Sequence, residues 1–456
     1  MLGWFKQTRV HFIGIGGIGM SGIAEILLDF GYTVSGSDIG QSSVIENLAL
    51  KGAKIFNQHL AENVNATDII VYSSAIDHKN PEIIRAKELG LPIIKRAEML
   101  AELMRLKLGV AVAGSHGKTT TTSLIATMFQ QAKLDATYVI GGIVRNLGGN
   151  AKKGNGDFLI AEADESDGSF LHLSPIMAVV TNIDNDHLDF YGTQEKIVEN
   201  FLEFVNKVPF YGKIALNIHD KYSVDIKDKI KRPILWYGID TIGADYEARD
   251  VVYSAQGTTF KLYFKKTFVD HFETHLLGLH NVLNTLGAIS ISHQCGLSFE
   301  EMKHGLLHFN GVGRRLEKIY QQNQTLVLDD YGHHPTEIRA TISTLKNLET
   351  RPLTVIFEPH RYSRTQNFWN EFTECFDGVE ELFLAPIYAA SEAEIPGITS
   401  EKLAEKIKTM GIKVTLIANL DHLDKIIEPK LKSPHVILGL GAGNISKKLR
   451  QAVQKL

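Results

Sequence analysis

The chain has 456 residues, 44% of them hydrophobic and 22% charged, with a formal net charge of −4 at pH 7. Those values suit a globular protein with real cores and, by length, about three domains; the basic excess of a general nucleic-acid binder is missing. Two cysteines and no CxxC pattern exclude a disulfide framework or a thiolate zinc site and suit a reducing cytoplasm, and neither a leader pattern nor an apolar run of about 20 residues marks secretion or a membrane span.

The first segment, from Arg9, reads RVHFIGIGGIGMSGIAEILLDFGYTVSGSD. Val10 to Ile15 form a short apolar run that predicts a buried parallel strand. Glycines follow, and Ile18, Ile23, Ile26, Leu27 and Phe30 then recur at helical spacing, with Gly31 as the stop. A second strand, Tyr32 to Gly36, leads to Asp38. ATDIIVYSSAI and PEIIRAKELGLPIIKRAEMLAELM continue the strand–helix alternation, which predicts a parallel sheet with helices on its faces. Gly14, Gly16 and Gly19 fit GxGxxG between strand and helix. That turn brings backbone amides and a helix N-terminus to a pyrophosphate, while Asp38 stands where an acid accepts from a ribose hydroxyl. The motif alone admits a dinucleotide, a nucleotide diphosphate or a purely structural turn. Lys95 and Arg96 read as solvated linker charges.

A second strand–glycine loop–helix unit opens near Leu108 with KLGVAVAGSHGKTTTTSLIATMFQQA. In GSHGKTT, Lys118 is placed to reach terminal phosphates and Thr119 to put its hydroxyl on Mg²⁺. The spacing is tighter than GxxxxGK[ST], with Val112 where the first glycine is expected, and a solvated Lys-Thr turn is the bland alternative. Two later strand ends carry acids: Glu162, Asp164 and Glu165, then Asp184, Asp186 and His187. Carboxylates at the same sheet edge as Lys118 suit Mg²⁺, and a neutral imidazole can join them. After about Lys213, segments such as TTFKLYFK predict an antiparallel subsheet. From Gly311 onward LVLDDYGHHPTEIRATISTLK, LTVIFEPHRYSRT, VEELFLAPIY and HVILGLGAGNIS return to α/β alternation. Two nucleotide-type loops in tandem fit an enzyme that activates one nucleotide-carried substrate with another. A NAD-dependent oxidoreductase leaves GSHGKTT without work, and a non-catalytic nucleotide sensor leaves Lys118, Glu162 and His187 without work.

In chain order, GIGGIGMSGIAEIL, GSHGKTTTTS, EADESDGSFL, NIDNDHLDFY, GLHNVLNTLGA, GVGRRLE, DDYGHHPTE and PHRYSRT resemble the Mur ligases, and their alanine-adding branch in particular. The resemblance implies three α/β domains: an N-terminal Rossmann-like domain (1–107) for the UDP-sugar, a central P-loop ATPase-like domain with a mixed sheet (108–312), and a C-terminal Rossmann-like domain (313–456) that closes over the site. It implies ligation of L-alanine to the lactyl carboxylate of UDP-N-acetylmuramate, with ATP and Mg²⁺, through an acyl phosphate. The expected protein is cytoplasmic, a monomer or weak homodimer, with no nucleic-acid partner and no membrane insertion. The recycling ligase that attaches a tripeptide to the same sugar nucleotide is the near alternative; it shares the DDxxHHPT motif, but GIGGIGMSG resembles the alanine-adding branch better.

Carried over by position, the resemblance assigns Gly14, Gly16, Gly17, Ile18, Gly19, Asp38, Ser73 and Ser74 to the UDP-sugar. It assigns Gly114, Ser115, His116, Gly117, Lys118, Thr119, Thr120, His280, Asn281, Asn284 and Arg314 to ATP, Arg315 being the alternative to Arg314. Thr119, Glu162 and His187 are the metal candidates, with Glu165 the alternative acid. Tyr331, His333, His360, Arg361 and Arg364 face the amino acid, and Lys118, His187, His334, Arg361 and Arg364 form the catalytic set. Structural alternatives stand beside these: His280 capping a helix that starts at Asn281, His333 and His334 as a packed loop pair, and residues 360–364 as a surface run. The lysine that is carbamylated in several Mur ligases cannot be placed here, since Lys196 falls too early; the alanine-adding branch generally lacks it.

Overall fold

The computed structural model describes residues 8–40, 42–73, 75–254, 256–322 and 324–456. The chain forms two compact units. One comprises residues 1–251, 259–274 and 283–310; the other comprises 252–258, 275–282 and 311–456.

The first unit begins with five strands: β1 (Arg9–Ile13), β2 (Thr33–Ser37), β3 (Lys54–Phe56), β4 (Ile69–Tyr72) and β5 (Ile93–Lys95). They lie in the order β3-β2-β1-β4-β5 and pair in parallel. Strand order reverses between β1 and β4, and ligands of such sheets bind in the crevice beyond the carboxyl ends at that switch. Gly14 and Ser73 follow the two strands that border it. The helix Ile18–Phe30 buries Met20, Ile23, Ala24, Ile26, Leu27 and Phe30, the stripe that the 3.6-residue period anticipates. Each large apolar side chain of that stripe contributes roughly 1.5–3 kcal/mol.

The second sheet contains β6 (Leu108–Ala113), β7 (Thr137–Val144), β8 (Gly149–Lys152), β9 (Phe158–Glu162), β10 (Met177–Val180), β11 (Lys213–Asn217), β12 (Ile234–Ile239), β13 (Tyr246–Ser254), β14 (Gly257–Phe264) and β15 (Thr267–Thr274). Their order is β15-β14-β13-β12-β11-β10-β6-β9-β7-β8. Strand β6 lies between β9 and β10 and is parallel to both. The antiparallel expectation after Lys213 is corrected for its first strands, since β11, β12 and β13 still add in parallel, whereas the segment TTFKLYFK that prompted it lies in β14. β14 and β15, joined through the two residues Lys265 and Lys266, double back as a hairpin, the short connection that antiparallel neighbours permit. At the other edge β8 runs antiparallel to β7. This hairpin receives the helix Ile18–Phe30: a methyl group on Gly22 would lie 2.8 Å from Ala151 Cβ, and one continuous core runs from Ile23 and Ile26 to Val139 and Ala151.

The second unit carries β16 (Glu317–Gln322), β17 (Thr325–Asp330), β18 (Leu353–Phe357), β19 (Glu381–Leu384), β20 (Lys413–Leu416) and β21 (His435–Leu440). The order is β16-β17-β21-β18-β19-β20, with only β16 antiparallel to its neighbour. Because β21 sits between β17 and β18, the loops after β17 and β18 open on one edge. Among the described residues no helix is long and apolar enough to cross a membrane.

Candidate active site

Three consecutive amides of the first glycine turn are held by the end of β2. Ser37 O accepts from Gly14 N (2.8 Å) and Ile15 N (3.1 Å), and Asp38 Oδ2 accepts from Gly16 N (2.8 Å). Asp38 also accepts from Gly40 N through Oδ1, so this acid shapes the turn, a role its expected ribose contact did not anticipate. Gly17 precedes the helix and contributes no side-chain cap. The amides of Ile18 and Gly19 therefore have neither an intrahelical acceptor nor a side-chain capping oxygen from Gly17, the first helical bond being Ser21 N to Gly17 O. Ser73 lies against Gly14, at 3.4 Å from a methyl group built there. Ser74 lies outside the described residues.

Arg96 is not a solvated linker charge. Its Nη2 donates to Asp164 Oδ2 at 3.2 Å, and its Cδ would lie 2.9 Å from a methyl group on Gly19. The side chain thus touches the helix of the first glycine loop with its stem and the acidic strand end of the second sheet with its head. Nothing in the local pattern marks this, because the partners are 77 and 68 residues away in sequence.

The second glycine turn follows β6. Gly114 has φ +137°, and a Cβ there would fall 1.9 Å from Thr181 Oγ1, so only glycine fits. His116 N donates to Asn182 Oδ1 (2.9 Å), the His116 ring meets Asp184 Oδ2 at 2.9 Å, and Asp184 N donates to Ser115 Oγ (2.8 Å). The turn is therefore stitched to the end of β10 before the helix Lys118–Gln131 begins. Asn284 packs on Gly117, its Oδ1 2.3 Å from a built Cβ. Thr120 is buried, so it faces the protein interior more than the mouth of the turn.

The acids sort into distinct partnerships. Lys118 Nζ lies 2.8 Å from both Glu165 carboxylate oxygens and donates to Gly114 O at 2.7 Å. Thr119 Oγ1 donates to Glu162 Oε1 (3.0 Å), and the other Glu162 oxygen accepts from Gly141 N (2.8 Å). His187, at φ +60°, brings Nε2 within 3.7 Å of Glu165 and 3.6 Å of Asp186. Tyr191 Oη donates to Glu165 O at 2.5 Å. Burial works against the Lys118 charge, but Glu165, Asp164 and Glu162 together outweigh it and hold the ammonium above its ordinary value. Burial pushes the Glu165 carboxyl up to about 7 despite Lys118. Its Oε2 is buried and lies at ion-pair distance from Lys118 but outside hydrogen-bond geometry. A threonine hydroxyl beside the Glu162 carboxylate, with the Glu165 carboxylate also lying against Lys118 of the same turn, offers hard-oxygen donors of the kind Mg²⁺ takes.

In the second unit the loops after β17 and β18 meet. The His333 and His360 rings are 5.8 Å apart, Tyr331 lies 5.2 Å from His333, and Arg364 Nη1 is 3.3 Å from His360 Nδ1. His334 caps the helix Pro335–Leu348 through Nδ1 and packs edge-on to Phe368. Burial, followed by the charges of Arg364 and Arg361, lowers His360 to about 4, so it is neutral at physiological pH. Arg361, at φ +70°, precedes the helix Tyr362–Asn367 and lies 3.7 Å from Glu392. Arg314 stacks on Tyr331 and donates to Gly441 O, whereas Arg315 pairs with Glu337 at 3.3 Å. His280 lies one residue inside a helix that begins at Leu279, so it does not cap one starting at Asn281. Burial, with Arg315 adding to it, lowers this ring to about 4. Asn281 donates through Nδ2 to Leu277 O. Missed at the level of sequence were Tyr388, stacked on His360 at 5.4 Å, and Glu392, which accepts from Ser363 N and Oγ. Tyr388 closes VEELFLAPIY, which reads only as a strand and its end, and Glu392 lies in no motif-like string.

A Rossmann-like sheet, a glycine-turn sheet with Lys118 among strand-end acids, and a third α/β sheet carrying an Arg-His edge define a nucleotide-using α/β enzyme of three domains. Family models match in the same order: the Mur ligase family catalytic domain over residues 9–108, the Mur ligase middle domain over 112–292, and the Mur ligase glutamate ligase domain over 314–443. The chain belongs to the Mur ligase family. It is 47% identical to the UDP-N-acetylmuramate–L-alanine ligase of Geotalea daltonii, covering 99% of this chain and 98% of that protein. To the enzyme of the same name from Geobacter sulfurreducens it is 46% identical over 96% of each. The crystal structure of UDP-N-acetylmuramate–alanine ligase from Thermotoga maritima superposes with a TM-score of 0.83 at 27% identity, covering 98% of this chain and 99% of that one. A murein peptide ligase from Psychrobacter arcticus gives 0.71 at 25% identity, covering 98% of both chains.

Proposed function

We propose that this protein joins L-alanine to the lactyl carboxylate of UDP-N-acetylmuramate at the expense of ATP, in the cytoplasm. The observation that carries this reading is Arg96 spanning from Gly19 to Asp164. It supports a shared edge for the two glycine loops, the arrangement needed when one nucleotide activates a group carried by another. The boundaries 1–107, 108–312 and 313–456 are our domain assignment.

In this reading the first turn binds the UDP-sugar through the helix that starts at Ile18, with Gly14 and Ser73 bordering the crevice. GSHGKTT cradles the triphosphate of ATP, with Asn284 against the turn and His280, Asn281 and Arg314 as further nucleotide contacts. Lys118 neutralises charge on the transferring phosphoryl group, a reaction governed by positioning and electrostatics. Thr119, Glu162 and His187 would hold Mg²⁺, which would supply charge neutralisation on the phosphate oxygens, with Glu165 as the alternative acid.

A carboxylate is a poor electrophile. Its oxygen attacks the γ-phosphorus, ADP departs, and the resulting acyl phosphate carries a good leaving group. The amine of alanine then adds to the carbonyl carbon, phosphate leaves with the C–O bond electrons, and the ammonium proton passes to solvent or a nearby base. Arg361 and Arg364 supply cations for the amino-acid carboxylate and the phosphate, while Tyr331, His333, His334 and neutral His360 shape that edge. The long, high-identity match to alanine ligases favours alanine over a tripeptide as the acceptor. Incubating the protein with ATP, UDP-N-acetylmuramate and each amino acid or the tripeptide, scored by phosphate release and product mass, tests this. Phosphate released with the tripeptide and not with alanine overturns the assignment.

A further inference from the structure

Beneath the first glycine turn lies a polar node that the reaction does not use. Glu82 is fully buried, in the first turn of the helix Pro81–Glu88. No lysine or arginine reaches its carboxylate through a hydrogen bond or ion pair among the described residues. Instead Oε2 accepts from Ser37 Oγ (2.6 Å) and meets His59 Nδ1 (2.9 Å), while Oε1 accepts from Asn63 Nδ2 (2.7 Å) and meets His11 Nε2 (3.3 Å). The other ring nitrogen of His11 meets Ser35 Oγ at 2.9 Å. One carboxylate therefore ties together β1, β2, the segment after β3 and the turn at Asn63.

Burying a carboxylate costs several kcal/mol, and apolar residues of the same volume often serve stability as well or better. The node's place in the sheet points to a further role. Ser37 is the last residue of β2, at the carboxyl end of the sheet, and is itself fully buried. Its side chain is fixed by Glu82, while its carbonyl holds the amides of Gly14 and Ile15. The next residue, Asp38, holds Gly16. Rotation of the Ser37 peptide would release Gly14 and Ile15 together and shift Asp38 with them.

We infer that Glu82 is a positioning residue for the sugar-nucleotide site: acting through Ser37, it holds the Gly14–Gly16 backbone in the shape that presents the following helix N-terminus to the diphosphate. This rests on the proposed reading of that turn as the UDP-sugar site. The carboxylate offers acceptors at both ends, and an amide in its place turns one end into a donor, which either faces Asn63 Nδ2 or obliges the Ser37 hydroxyl and the His59 ring to reverse their roles.

The test uses the full-length protein and its Glu82→Gln and Ser37→Ala variants. UDP-N-acetylmuramate binding is measured by calorimetry, KM for the sugar nucleotide and for ATP in the coupled assay, and Tm for each protein. Glu82→Gln is expected to weaken sugar-nucleotide binding and raise its KM about tenfold, which corresponds to about 1.4 kcal/mol. Ser37→Ala is expected to do so about threefold to fivefold. In both, kcat and the KM for ATP stay within about twofold of wild type. Unchanged sugar-nucleotide affinity in both variants overturns the inference. So does an equal loss for both substrates, or failure of both variants to fold, because either outcome makes the node a stability element only. A wild-type protein that does not bind UDP-N-acetylmuramate at all sinks the underlying site assignment instead, so the two failures are distinguishable.

Discussion

Replacing Lys118 with methionine separates the electrostatics of the site from its chemistry. The ammonium lies 2.8 Å from Glu165, a carboxyl that is 1% exposed and pushed by burial from 4.5 up to about 7. Between those values the folded chain keeps a proton that the unfolded chain has released. The contribution of this carboxyl to wild-type stability therefore falls, by roughly 1 kcal/mol per pH unit, from about pH 4.5 to 7, then levels off once both states are ionised. Without Lys118 the carboxyl ionises only at higher pH, so the levelling-off moves up. Below about pH 6 the two curves run parallel, and above it the variant falls progressively further behind as pH rises, by on the order of 1 kcal/mol at pH 8. Lys118 itself is charged in both states across this window. Its lost hydrogen bonds to Gly114 and Ser115 carbonyls add only a constant offset of about 1–3 kcal/mol. Guanidinium unfolding at pH 6, 7 and 8, without nucleotide or metal, measures the gap. A gap that is the same at all three pH values refutes the Lys118–Glu165 coupling. The same variant is expected to lose at least about 10²–10³ in kcat, the loss seen when one transition-state donor is removed.

Gly114→Ala forces a Cβ to within 1.9 Å of Thr181 Oγ1 at φ +137°; a loss of about 1–3 kcal/mol in stability, with a severalfold rise in the KM for ATP, is expected from thermal melts and steady-state kinetics. Glu162→Gln and Thr119→Ala should each raise the Mg²⁺ concentration for half-maximal activity about tenfold or more, read from a metal titration at saturating ATP; an unchanged midpoint in both removes them from the metal site. Arg364→Ala should raise the KM for alanine or lower kcat by about tenfold or more, and wild-type kinetics in both Arg364→Ala and Arg361→Ala would discard the amino-acid edge.

Much of the site was legible because its chemistry is local. Val10 to Ile13 and Val110 to Ala113 are apolar runs broken by glycines, and helical spacing resumes immediately afterwards; each strand–turn–helix is written within about thirty residues. The strand-end acids could likewise be read from their position. What they bind to could not. Glu162, Asp164 and Glu165 are chemically alike and lie within four positions, yet they pair with Thr119, Arg96 and Lys118 respectively. Tyr388 and Glu392 join the Arg-His edge from a loop with no motif, and Asp38 spends its carboxylate on backbone amides.

By itself the sequence determined the short-range elements: which runs become strands, where glycine must turn them, and which acids and cations end up at strand ends. Strand order was decided only in three dimensions. β6 entering between β9 and β10 puts Lys118 among the acids, and β21 entering between β17 and β18 brings His333 to His360. Parallel neighbours are joined by long crossovers, and the apolar pattern of a buried strand is satisfied beside many partners. Pairing is therefore settled by the packing of the whole sheet and its helices, which no local window of residues encodes.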